Sequence, residues 1–146
     1  MKKIWKFTKQ EDGTIRIDGY KGQDTAITVP SLIGKDPVTV IGEWAFAPNA
    51  PSIKNAKARS QIVSICLPET ITEIGKSAFF KCDNMCDIWI SDHVQKLGQY
   101  CLNGDWFAKK KITIHTREGS FVAQEFSDSN SKYFACVYDY DETKIS

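Results

Sequence analysis

Apolar residues recur along this chain in short alternations, each followed by a longer irregular stretch. Ile27-Thr28-Val29, Ile65-Cys66-Leu67, Ile88-Trp89-Ile90 and Ile112-Thr113-Ile114 each set two apolar side chains on either side of one residue of opposite direction. Alternation of this kind predicts a strand with one buried face. The intervening stretches also correspond. Val38, Ile71 and Val94 match, as do Ile41-Gly42, Ile74-Gly75 and Leu97-Gly98, and Ala45-Phe46, Ala78-Phe79 and Cys101-Leu102. The last two steps between alternations are 23 and 24 residues, from 65 to 88 and from 88 to 112. A fixed period of that length with one short strand per unit predicts a stack of coils, each burying its apolar side only against its neighbours.

The pattern predicts a right-handed, mostly β solenoid of about three or four coils. Val29, Leu67, Ile90 and Ile114 form its inward ladder, with Ile27, Ile65, Ile88 and Ile112 beside it. Shorter extended pieces fall at Ile71–Ile74 and Val94–Leu97, tight helical turns at the Ala-Phe positions, and Phe46 stacks on Phe79 at the opposite corner. Residues 4–8 and 14–20, joined at Glu11-Asp12-Gly13, read as a β-hairpin that covers the first coil. Trp5, Phe7 and Tyr20 are then the core of that cap. Gly34-Lys35-Asp36-Pro37 inserts a turn in the first coil. Residues 47–61 form a longer insertion, with a short helix over 53–59 whose Lys54, Lys57 and Arg59 make a solvated basic face. Ser120 caps a helix running to Phe126, residues 132–138 form a last strand, and the acidic 139–146 tail frays. One domain results, with a cap at 1–26, repeats at 27–115, a second cap at 116–138 and the tail.

The unit beginning at Ile65, Ile-x-Leu-Pro-x-x-Ile-x-x-Ile-Gly-x-x-Ala-Phe-x-x-Cys-x-x-Met-x-x-Ile, resembles the BspA-type leucine-rich repeat. The opening, with Gly13-Thr14-Ile15, Gly19-Tyr20-Lys21-Gly22 and Ile27-Thr28-Val29-Pro30, resembles the start of such arrays. The stretch from Ile112-Thr113-Ile114 through Glu118-Gly119-Ser120-Phe121-Val122-Ala123 resembles their ending. The likeness covers residues 13–138. Three departures stand out: Ser91 replaces the repeat's proline, Cys101-Leu102 replaces Ala-Phe, and the segment from Asn103 to Lys111 lacks the Cys-x-x-Leu spacing. The resemblance implies a leucine-rich-repeat solenoid, interaction with other proteins, and a family whose members are often secreted or surface-attached.

Charge adds little. Lys and Arg number 19 against 18 Asp and Glu, so no global field favours nucleic acid or an acidic membrane. The five cysteines are odd in number and scattered, which suits a reducing compartment better than a disulfide framework. Cys82 matches the repeat's own Cys position and Cys101 replaces a small apolar one, and both are expected as buried free thiols. The apolar run at the N-terminus breaks at Lys6 and Lys9, so there is no signal-peptide core. No stretch reaches the length of a membrane span. The expectation is a cytoplasmic chain, or a piece of a longer precursor.

Catalytic chemistry has no foothold. Cys82, Cys86 and His93 invite a zinc reading, but the second ligand pair is missing. No nucleophile elbow, phosphate loop or His-Glu-x-x-His occurs. No cofactor is expected. The strands point instead to a surface: with Ile88 and Ile90 inward, Asp87 and Trp89 face out. The same phase places Cys66, Trp89 and Thr113 in one outward column and Ser64, Asp87 and Lys111 in another, with Thr28 extending the row. An outward tryptophan either binds a partner or shelters beneath a loop, 47–61 or Trp106-Phe107. The reading is a monomeric, non-enzymatic protein-binding module using this face, without nucleic-acid or membrane partners. The alternative is a spacer domain of a larger cell-surface or secreted assembly.

Overall fold

The structure is a computed structural model that describes residues 4–50, 56–102, 111–127 and 133–141. The chain begins with β1 (Trp5–Lys9) and β2 (Ile15–Tyr20), continues through β3 (Ala26–Thr28), β4 (Leu32–Ile33), β5 (Asp36–Ile41), α1 (Ala56–Ser60), β6 (Ser64–Cys66), β7 (Glu73–Ile74), β8 (Asp87–Trp89), β9 (Lys96–Leu97) and β10 (Ile112–His115), and ends with α2 (Phe121–Ser127) and β11 (Phe134–Val137). These short strands wind into a mostly β solenoid of about four turns. One sheet runs β3-β6-β8-β10-β11, parallel throughout. The other runs β1-β2-β5-β7-β9; its strands are parallel except β1, which pairs antiparallel with β2, and β4 pairs antiparallel on β5.

The hairpin is continuous with the solenoid because β2 takes the place a preceding coil would occupy beside β5. From it an aromatic spine runs inward. Trp5 lies 5.1 Å from Tyr20, Tyr20 6.0 Å from Phe46, and Phe46 stacks on Phe79 at 5.0 Å and 12°. Phe7 is not part of it. β1 is an edge strand with a bulge between Lys6 and Phe7, so only Trp5 reaches the core and Phe7 is 46% exposed. At the glycine corners the coils approach too closely for a side chain. A Cβ on Gly98 falls 2.3 Å from the Lys76 nitrogen, and one on Gly75 2.8 Å from that of Glu43.

Ile27, Ile65, Ile88 and Ile114 stand in one buried register, not Ile27, Ile65, Ile88 and Ile112. Val29, Leu67 and Ile90 form the second row, and Thr116 rather than Ile114 completes it. Each of these four donates its N–H to the next strand, Thr116 to the Val137 carbonyl at 2.9 Å. The last coil is thus two residues longer than its alternation predicts. Strand side chains repeat every two residues, so a slip of two leaves every inward residue inward and the apolar pattern cannot detect it. Thr116 is fully buried; its hydroxyl lies 3.2 Å from that of Ser120.

Two further expectations change. Arg59 lies in α1 but points inward, donating to the carbonyls of Tyr20 at 3.3 Å and Ala47 at 3.2 Å. Its guanidinium ties the insertion to the hairpin and the first coil, and burial lowers its pKa to about 10. Lys57 remains exposed; Ile53 and Lys54 lie outside the described residues. The tail does not fray at its start. Tyr140 is buried and donates its hydroxyl to the Leu67 carbonyl at 2.8 Å, while its N–H reaches the Thr116 carbonyl at 3.1 Å. Residues 142–146 lie outside the described residues.

Candidate protein-binding face

The outward positions of the five-stranded sheet form two rows. Ser64, Asp87 and Thr113 are cross-strand partners in one, with Ala26 before them and Ala135 after. Thr28, Cys66, Trp89 and His115 make the other, followed by Val137. Thr113 therefore stands beside Asp87 rather than Trp89. Lys111 stands before β10, exposed and out of the Asp87 row. The cause is the two-residue slip of the last coil. The position beside Trp89 belongs to His115, which the alternation left just beyond its end.

His115 organises the face. Its ring stacks on the Trp89 indole, with centroids 4.1 Å apart and planes 8° from parallel. Nε2 lies 2.8 Å from Oδ1 of Asp87, and Nδ1 lies 2.7 Å from Oδ1 of Asp139. Only 12% of the imidazole side chain is exposed. The half-buried indole is sheltered by this ring. Of the 47–61 insertion, Arg59 points toward the hairpin, residues 51–55 lie outside the described residues, and so does Trp106-Phe107.

Just past the strand ends, Arg117 donates to the carboxylates of Glu69 and, at 2.5 Å, Asp92. Its hydrogen bond holds Asp92 below the usual carboxylate range, while the bonds to Glu69 and Asp92 raise the arginine further. The guanidinium also lies 5.0 Å from the centre of the Tyr140 ring. Glu69, Asp92 and His93 have ligand atoms within 4.8 Å of one another, the one such cluster among the described residues. Arg117 already supplies the cation between its two carboxylates. Cys82 is buried with its thiol on the Phe46 carbonyl at 3.4 Å, and desolvation pushes it up to about 12. Cys86 turns its thiol to the Asn84 carbonyl, so Cys82, Cys86 and His93 form no ligand cluster.

The second sheet offers a different surface. A groove of about 520 Å³ runs along it, lined by Arg16, Asp18, Glu73 and Lys96 among others. Within it Arg16 pairs with Asp18 at 2.6 Å and Lys96 with Glu73 at 3.8 Å. Among the described residues no helix is long and apolar enough to cross a membrane.

The stacked coils, the glycine corners and the two-rowed strand face define a repeat solenoid. Residues 25–132 match the family model for the BspA type leucine rich repeat region, in six copies, and the chain belongs to that family. Among solved structures, a leucine-rich repeat protein from Bacteroides capillosus superposes with a TM-score of 0.67 at 22% identity, over 95% of this chain and 96% of that one. A leucine rich cell surface protein from Faecalibacterium prausnitzii is 26% identical with a TM-score of 0.55, over 78% of this chain. The match spans only 31% of that longer protein. No curated protein matches the sequence.

Proposed function

We propose that this chain is a protein-binding module whose partner docks on the outward face of β3, β6, β8, β10 and β11. The observation that carries the reading is Trp89. It occupies an outward strand position, held flat against His115, which is itself fixed by Asp87 and Asp139. A rigid aromatic with a polar rim matches the composition of interface hot spots, because its burial costs little further side-chain entropy. Ser64, Cys66, Thr28 and Thr113 supply the small and polar surroundings, and Lys111 lies at the margin.

The test is affinity capture from native lysate and medium on immobilised protein and on Trp89→Ala, followed by titration of the purified partner. Trp89→Ala should weaken binding by on the order of 2 kcal/mol with the melting temperature nearly unchanged. Equal affinity for both proteins would place the docking surface elsewhere.

A further inference from the structure

The strand face is asymmetric about Trp89. On the β10 side the indole is covered by the imidazole of His115. The rings are nearly parallel, so the opposite indole face looks back along the row toward β6 and β3. There the row holds only Cys66 and Thr28. Both are small, and parallel strands step by about 4.8 Å. A notch two strands wide results. Trp89 is its wall, Cys66 and Thr28 its floor, and Asp87 and Ser64 its rim in the adjacent row. Among the described residues, His115 is the one ring stacked on Trp89.

Charge selects what fits. Asp87 and Asp139 share one imidazole. Two carboxylates against one ring leave a full negative charge even when that ring is protonated, and two when it is not. Beyond the strand ends, Glu69 and Asp92 likewise share Arg117, with the His93 ring 3.7 Å from Glu69. Lys111, an exposed cation, stands before β10 on the far side of Trp89 from the notch. Oδ1 of Asp87 lies against His115, and the Asp87 side chain is 37% exposed.

We propose that this notch receives the guanidinium of an arginine from the partner protein. The assignment rests on the strand face being the docking surface. A planar, weakly hydrated cation stacks on an indole face and donates in-plane to a carboxylate, a pairing an ammonium reproduces less well. Here the indole face on which no described ring stacks and the Asp87 carboxylate lie at neighbouring positions, and the Ser64 hydroxyl can accept a further N–H.

The experiment selects random phage-displayed peptides on the wild-type protein and measures synthetic copies against variants. Selected peptides should carry an arginine whose replacement by citrulline weakens binding about tenfold, with lysine between the two. On Asp87→Asn the same replacement should cost little. Cys66→Met, which fills the notch floor while leaving Trp89 and Asp87 in place, should also lower affinity about tenfold with the melting temperature unchanged. Peptides that lose affinity for Trp89→Ala but tolerate loss of every arginine would overturn the arginine assignment and leave the strand face standing. Peptides indifferent to Trp89→Ala, or none selected at all, would count against both.

Discussion

Phe79 shows how much one side chain carries. It is fully buried, stacks on Phe46, and donates its N–H to the Cys101 carbonyl of the next coil. Phe79→Ala should cost about 3–5 kcal/mol in denaturant unfolding, since truncation leaves a cavity between two coils. Cys82 and Cys101 behave as small hydrophobes, and burial pushes their thiols up to about 12 and about 11. A thiol reagent should reach Cys66, Cys86 and Cys136, which are half-buried, and find Cys82 and Cys101 only after unfolding. The same shift fixes a pH dependence. An unfolded thiol ionises near about 8.5, whereas these two stay protonated in the fold. Stability is therefore full below that value and declines as pH rises toward the folded pKa values. Arg59, lowered to about 10, acts in the opposite sense, because above that pH the folded state sheds a proton that the unfolded state keeps. The decline should thus show between about pH 8.5 and 10 as a falling melting temperature, and Cys82→Ala with Cys101→Ala should flatten it. Most of these residues were legible, because a buried isoleucine or phenylalanine at a repeat position has one place to go. Arg59 was not, since its partners are backbone carbonyls that no sequence pattern marks.

Elements are decided by register as much as by composition. The four alternations gave β3, β6, β8 and β10, the expected last strand over 132–138 gave β11, and Ser120 gave the start of α2. Its Oγ accepts from the Ala123 N–H at 3.0 Å, satisfying one of the free donors of that helix. Ser120→Ala should cost about 1 kcal/mol, read as a lowered denaturation midpoint. The buried Thr116 hydroxyl loses a partner in the same variant. What the alternations could not give was the offset of β10. Isoleucine pairs at 112 and 114 fit the buried side in either of two registers, and the coil length decides between them through residues that lack the repeat spacing. The candidate site followed that error. Trp89 and Asp87 were read correctly as outward, while His115, the group that holds both, lay one position past the pattern. A histidine directly after an alternation, in phase with Trp89 one coil earlier, is the signal that would have found it.

At the scale of the whole molecule, each coil leans on its neighbours, so stability should be spread along the axis and weakest at the ends. The basic insertion and the aromatic hairpin close the first end through Arg59, Tyr20 and Trp5. The other end is fastened differently. Tyr140, just past β11, reaches the Leu67 carbonyl at the end of β6, three strands back, with Arg117 over its ring and Asp139 on His115. This tie should resist peeling of one coil at a time. Pulled between its termini in an optical trap, the protein should hold its extension until this tie gives, then lengthen by several coils in one rip. Tyr140→Phe, which removes only the hydroxyl, should replace that single rip with a staircase of smaller ones beginning at lower force.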